Sequence, residues 1–487
     1  MPTILGANSD TGAFEISNSL RLDDGDNQRL YFDPSSDDST RTKYTFSTWL
    51  KLGNLATSQH RYFFGAGDHA LIGFRTGSGE EDDLYVQTTA GGVNAIQTHA
   101  KFRDSSAWYH IYVKLDTTQS TASDRLQLYV NGVQVTDFSV DQRSNITQDS
   151  SESDVGSSGE RHNIGYSANG SGSLYDGYIA ETHLLVGTVK NHTDFGETND
   201  NGVWVPKKAI FAASDYGTNG FKLEYKQTGT SADASGMGAD TSGNGNHFTT
   251  QNLNAQNITT DTPNNNFATL DPTSNFHCGA TYAEGNTRFI SDESKYGFNC
   301  STVGVSSGKW YAEFKMISRD GESGNWYMVG IASGEQTGHR LVLGRDTGRS
   351  TSTRNGGIGY VGYGTNFIYQ NDAYYDGDSN AYSTAAYTDG DIIGVALNAD
   401  DNQVTLYKNG TVQNSGTAFV LGTSETGFWH FGCGHFDTGN TFTIDANFGQ
   451  PSFSGTDQSD ANGYGSFEYA PPSGYYALCT KNLAEYG

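Results

Sequence analysis

Leu128-Tyr129-Val130-Asn131-Gly132 and Leu406-Tyr407-Lys408-Asn409-Gly410 repeat one pattern, a short alternating strand that runs into Asn-Gly. Asn-Gly suits the type I′ turn, whose two central residues both need positive φ, so each copy predicts a tight β-hairpin. Behind each lies a polar, acid-containing turn, Ser123-Asp124-Arg125 in one and Asp400-Asp401-Asn402 in the other. Leu126 with Leu128, and Val404 with Leu406, set branched apolar side chains on one face of each strand. Two such hairpins, far apart in the chain, predict two β-sandwiches.

The surrounding sequence extends both. Residues 44–50 alternate, Ile111, Val113 and Leu115 share one face, and Asp176-Gly177-Tyr178-Ile179-Ala180 opens a closing strand. Further on, Trp310, Ala312, Phe314 and Met316 share a face, as do Ile393, Val395 and Leu397, and again Phe442, Ile444 and Ala446. Residues 228–280 differ. They are rich in Thr, Asn, Ser and Gly, as in Thr241-Ser242-Gly243-Asn244-Gly245-Asn246, and read as a segment that links or wraps. The expected fold is all-β: antiparallel β-sandwich (jelly-roll) domains at 1–227 and 281–452, a low-complexity connector at 228–280, and a tail at 453–487. The run Gly220-Phe221-Lys222-Leu223-Glu224-Tyr225 reads equally as the last strand of the first sandwich or the first strand of the second.

Composition narrows the function. With 29 basic and 55 acidic residues the net charge is −26, which repels phosphate backbones and anionic membranes, so neither nucleic acid nor membrane insertion is expected. No apolar run approaches the ~18 residues of a membrane helix, and Met1-Pro2-Thr3 opens no signal peptide. Cys278, Cys300, Cys433 and Cys479 are too scattered for a disulfide framework and read as buried thiols.

Formal catalytic motifs fail on context. Gly357-Ile358-Gly359-Tyr360-Val361-Gly362 fits a dinucleotide loop, but no helix N-terminus follows. Gly304-Val305-Ser306-Ser307-Gly308 is followed by a strand where a nucleophile elbow needs a helix. In a strand, Cys433 and His435 face away from His430, so the three do not converge on a metal. Clustered acids of the kind that paired-carboxylate glycosidases use do not occur. The chain is therefore expected not to be an enzyme.

Trp49, Trp108-Tyr109-His110, residues 128–132 and Asp176-Gly177-Tyr178-Ile179 occur in the order seen in laminin-G-like domains, and together they resemble the concanavalin-A-like jelly roll. Gly308-Lys309-Trp310-Tyr311-Ala312-Glu313-Phe314, Val329-Gly330-Ile331-Ala332, Gly390-Asp391-Ile392-Ile393-Gly394-Val395 and residues 406–410 resemble a SPRY domain. Val203-Trp204-Val205-Pro206-Lys207-Lys208, residues 216–221, residues 240–246, Asp261-Thr262-Pro263-Asn264-Asn265-Asn266-Phe267 and the ending at 471–480 look like virion structural proteins of tailed bacteriophages, marine ones especially.

That resemblance implies a protein made in the host cytoplasm, carried on the virion and released by lysis. It implies a tail-fibre or appendage adhesin that binds host-surface glycan or protein non-covalently, sits among other virion proteins and forms a homo-oligomer. Capsid decoration and polysaccharide depolymerisation are the alternatives. Laminin-G-like domains often carry calcium at the sandwich rim. Here Asp23, Asp24 and Asp26 supply hard oxygen ligands, although a solvated turn is the commoner fate of such runs. For the ligand, Tyr369, Asn371, Tyr374, Tyr375 and Asp376 set aromatic rings beside an amide and a carboxylate, which suits sugar faces and hydroxyls.

Overall fold

The computed structural model describes residues 14–487 except 56–58, 78–80, 89–93, 152, 168–172, 275–278, 293, 295–296, 320–325, 334–340, 344, 347–355, 363–367, 372, 376–381, 425, 436–438 and 454. Among the described residues no helix is long and apolar enough to cross a membrane. The chain forms two compact units that meet in sequence at Asn264 and Asn265. Each is built mainly from two large, predominantly antiparallel sheets.

In the first unit, one sheet runs in the order Val133–Gln134, Leu126–Val130, Trp108–Asp116, Lys43–Leu52, Gly177–Val186, Ser19–Leu22 and Ile258–Thr259. The other runs Phe138–Asp141, Ala95–Lys101, Asp83–Thr88, Ala70–Arg75, Arg61–Ala66, His162–Ile164, Arg29–Phe32 and Thr249–Gln251. Alternation decides what lies between them. Phe46, Leu50, Ile111, Val113 and Leu128 come from the first sheet, Phe64, Ile72, Phe74, Val86 and Ile96 from the second, and all join one buried core.

The second unit repeats the logic. Its larger sheet runs Thr281–Ala283, Arg288–Ile290, Phe442–Asn447, Lys309–Arg319, Ile392–Asn398, Gln403–Lys408 and Thr411–Val412. Its smaller sheet runs Gly297–Cys300, His430–His435, Tyr327–Ala332, Ile358–Val361, Ile368–Gln370 and Ala373–Tyr375. Trp310, Ala312, Phe314, Met316, Val395, Leu397 and Leu406 pack against Val329, Ile331, Ile358, Tyr360 and Phe431. Of the cysteines, Cys300, Cys433 and Cys479 are buried free thiols, and Cys278 lies outside the described residues.

Both Asn-Gly pairs form the turn their sequence predicts. φ is 49° and 76° at Asn131 and Gly132, and 48° and 74° at Asn409 and Gly410. Each asparagine also caps a neighbouring strand. The Asn131 side chain accepts the His110 N–H at 2.7 Å while its own N–H donates to His110 O at 2.9 Å. Asn409 makes the same pair with Ile392, both at 2.8 Å.

The structure divides the chain differently from the expected scheme of 1–227, 228–280, 281–452 and 453–487. Phe221–Leu223 pairs with Gly177–Val186, which assigns the ambiguous strand to the first sandwich. Thr249–Gln251 and Ile258–Thr259, expected in a connector, are edge strands of its two sheets. Met237, Phe248 and Leu253 from the same stretch enter its core. Polar composition misled because its donors and acceptors are used internally. Asp240 accepts the N–H groups of Lys222, Ser242 and Asn246, and Asn244 donates to Gly217 O and Gly220 O. Residues 453–487 are likewise part of the second unit. Tyr476–Ala477 pairs in parallel with Lys309–Arg319, and the Thr480–Tyr486 helix follows, with Tyr486 stacked on Tyr476 at 3.9 Å.

Candidate functional site

Asp23 follows the Ser19–Leu22 strand and opens the turn that leads into Arg29–Phe32. That turn is held by its own side chains. Gln28 Oε1 accepts the Asp23 N–H at 3.0 Å, the Asp26 N–H donates to Asp23 Oδ1 at 3.2 Å, and Asn27 takes φ 55°. Asn257 Nδ2 donates to Gln28 Oε1 at 2.8 Å and to Arg21 O at 3.0 Å, tying the base of the turn to the edge strand.

Asp176 arrives from the other direction, immediately before Gly177–Val186. Because Leu22 pairs with Gly177, the residues just beyond that pair emerge at the same end of the sheet. Asn54 N–H donates to Asp176 Oδ1 at 3.0 Å, and Gly53 N–H donates to Asp176 O at 3.1 Å. Gly53 is required there, since a Cβ on it would lie 1.6 Å from Asp176 Oδ1.

Asp23, Asp24 and Asp176 therefore converge, each presenting an oxygen within 4.8 Å of the others. Two oxygens on one calcium lie at most about 5 Å apart, so the spacing is short enough for the three to share a cation. Asp176 is fully buried and Asp23 nearly so. Burial, then the adjacent charge of Asp23, raises the Asp24 carboxyl above its ordinary range, while Arg61 acts in the opposite sense. A divalent ion relieves this crowding, and the all-oxygen donor set is the one calcium takes. Three carboxylates leave positions for water, backbone carbonyls or a ligand hydroxyl.

Of the predicted ligands, Asp23 and Asp24 are in this group and Asp26 is not. The Asp26 backbone is committed to the turn, its N–H to Asp23 and its carbonyl to Asn252 Nδ2 at 2.8 Å. Asp176 takes the third place. It stood in the sequence at the head of a recognised strand, but only the pairing of Leu22 with Gly177 brings it to Asp23.

Three tyrosines of the tyrosine-rich stretch, Tyr360, Tyr369 and Tyr387, are packed inside the second unit. Tyr369 is 1% exposed, in a small cluster with Phe298, Met328, Leu343 and Val361, so its ring is not available to a ligand as expected. Tyr360 and Tyr387 are buried as well. Asn371 sits in a turn at φ 49°, accepting Gly422 N–H at 2.7 Å and donating to Val420 O at 2.9 Å. Tyr374 and Tyr375 lie on the edge strand Ala373–Tyr375, and Asp376 lies outside the described residues. The second unit also has an open, polar cleft of about 550 Å³ lined by Asp400, Asn402, Thr423, Ser424 and Trp429.

Among the described residues of the second unit, the buried Glu313 carboxyl is raised by burial to about 7. It accepts the N–H groups of Glu468 and Tyr469, both at 2.8 Å, and Asn447 Nδ2 at 3.2 Å. With Tyr311 OH also donating to it at 3.3 Å, it is tied to the backbone of Glu468 and Tyr469, so its role is to hold the C-terminal segment.

An antiparallel two-sheet sandwich is the fold of the concanavalin-A-like jelly roll. Residues 24–189 match the family model described as the concanavalin A-like lectin/glucanases superfamily, which places the fold of that stretch. No curated protein matches the chain. Among solved structures, the SPRY domain of human HERC1 is 14% identical, with 36% of this chain and 96% of that one covered and a TM-score of 0.28. A Bacteroides ovatus protein named for carbohydrate binding is 15% identical, with 51% and 60% covered and a TM-score of 0.33. A heptameric SAP-like pentraxin from Limulus polyphemus is 14% identical, with 37% and 82% covered and a TM-score of 0.25. Likeness this distant says nothing about ligands.

Proposed function

We propose that this chain is a carbohydrate-binding protein that acts without catalysis, and that its first sandwich binds sugar hydroxyls through a calcium ion held by Asp23, Asp24 and Asp176. The observation that carries this is the convergence of three carboxylates, from two segments far apart in sequence, at one rim of the sandwich. The family model matched by residues 24–189 includes lectins, which supports the sugar as ligand. It also includes glucanases. The non-catalytic reading rests on the sequence, which holds no acid cluster of the kind that paired-carboxylate glycosidases use.

The finer reading is an adhesin on the tail fibre or appendage of a tailed phage, working as a homo-oligomer against host-surface glycan. Its support is the resemblance of residues 203–208, 261–267 and 471–476 to phage virion proteins. Copies displayed together would raise a weak single-site affinity by ~10²–10⁴. Calorimetric titration of calcium into the wild-type chain and into Asp176→Asn tests the site, with binding expected only for the former. Immunogold labelling of intact particles tests the location, and a label on the head in place of the tail would favour capsid decoration.

A further inference from the structure

Lys51 and Asp261 form an ion pair sealed inside the first unit. Lys51 Nζ lies 2.8 Å from Asp261 Oδ2, and both side chains are 0% exposed. Lys51 is on the Lys43–Leu52 strand, between Tyr178 and Trp108 of the neighbouring strands. Its ammonium sits 5.4 Å from the centroid of the Tyr178 ring. Asp261 follows the edge strand Ile258–Thr259 and is fixed through its backbone. Its carbonyl accepts Ser19 Oγ at 2.6 Å, and its N–H donates to Thr259 Oγ1 at 3.2 Å. The second carboxylate oxygen is oriented separately, with Trp108 Nε1 donating to Asp261 Oδ1 at 3.0 Å.

Among the described residues, other lysine–carboxylate pairs in this unit lack that combination. Lys101 reaches Asp83 Oδ1 at 2.6 Å, but its side chain is 32% exposed. Lys222 is shared between Glu181 at 3.1 Å and Glu224 at 3.3 Å, so no single carboxylate holds it.

We propose that Lys51 and Asp261 condense spontaneously into an intramolecular amide, a covalent clasp between the middle of the first sandwich and its last segment. Nζ attacks Cγ of Asp261, the Nζ–Cγ bond forms and the Cγ–Oδ2 bond breaks. Of the three ammonium protons, two leave with Oδ2 as water and one stays on the amide nitrogen. No oxidant or cofactor is required. Trp108 Nε1–H points at Oδ1, where negative charge gathers in the tetrahedral intermediate. Nζ is held 2.8 Å from Oδ2, one bond away from the carbon it attacks, and a dry site opposes hydrolysis of the product. Burial supports the step, because it lowers the Lys51 amine below its ordinary range and so favours the neutral nucleophile, although Asp261 and Asp104 oppose it.

Intact-mass measurement of the purified, denatured full-length chain tests this, followed by digestion and peptide sequencing. The wild-type chain is expected to be lighter than its sequence by one water and to yield a branched peptide joining residues 51 and 261. Lys51→Met is expected at its full sequence mass. Asp261→Asn is expected to lose ammonia and to converge on the mass of the wild-type product. A wild-type chain at full mass, with residues 51 and 261 recovered in separate linear peptides, overturns the proposal. That measurement does not depend on any variant folding, nor on the sugar or calcium reading of the rim.

Discussion

Asp23 and Asp176 bring carboxylate oxygens within 4.8 Å of each other because Leu22 and Gly177, their immediate neighbours, are paired across two antiparallel strands. With Asp24 they make a knot of negative charge at one end of the first sandwich. Like charges this close are unfavourable unless protons or a cation intervene, so calcium bound at the rim as proposed would stabilise its unit.

The Asp176→Asn variant measures that coupling. Calcium at 100-fold over its dissociation constant is expected to stabilise the wild-type first unit by about 2.7 kcal/mol, and to leave the variant's melting temperature unchanged. In chelator the order reverses, with the variant at least as stable as wild type, because one of three crowded charges is gone. Differential scanning calorimetry with calcium and with chelator reads both.

Glu313 gives the second unit a pH dependence of definite sign. Burial raises its carboxyl from 4.5 to about 7, so between these values the folded chain holds a proton that the unfolded chain releases. The stability it contributes is complete below about 4.5 and is lost as pH rises through about 7. In Glu313→Gln that slope is expected to vanish. The amide would also set a donor against the Glu468 or Tyr469 N–H, at about 1–3 kcal/mol. Urea melts across this pH range, followed by a probe in the second unit, check both.

His110 works in the opposite direction in the first unit. Burial, then the neighbouring His192 and His183, lowers it from 6.5 to about 3. Trp204 Nε1 donates to its Nδ1 at 3.1 Å, so the neutral ring keeps its proton on Nε2 and donates to Ser47 Oγ at 2.9 Å. The contribution is present above 6.5 and is lost as pH falls toward about 3. His110→Phe is expected to flatten this acid limb while destabilising the unit by about 1–3 kcal/mol at neutral pH, since Trp204 loses its acceptor. Acid titration of the variant against wild type, by circular dichroism, is the measurement.

The two hairpin asparagines should behave alike. Asn131→Ala and Asn409→Ala each remove a residue suited to positive φ and a side chain that caps a strand N–H. Each is expected to destabilise its own unit by about 1–3 kcal/mol and leave the other unchanged. Amide hydrogen exchange, resolved by unit, distinguishes this from a global effect.

These residues show what was legible in advance. Asn131-Gly132, Asn409-Gly410 and the faces of Trp310 and Ile111 were readable because turn chemistry and period-two alternation are local. Asp176 was visible as the head of a strand, but its partnership with Asp23 depends on which strands pair, and periodicity does not encode that. Tyr369 misled for a related reason. It alternates with the core residue Ile368 and so reads as outward-facing, yet the outer face of its sheet carries a second buried cluster with Leu343 and Met328. Residues 240–246 looked like a linker because their hydrogen bonds run from side chain to backbone, which composition cannot distinguish from solvation.

Calcium-dependent recognition of sugar at the Asp23–Asp24–Asp176 rim can be read on a glycan array probed with the full-length chain. The wild type is expected to bind a defined set of glycans in millimolar calcium and to lose them in chelator, with Asp176→Asn losing them in both. Glycan binding that survives chelator and Asp176→Asn, and falls only in the Tyr374→Ala, Tyr375→Ala double variant, would contradict the claim and move the site to the edge strand of the second unit.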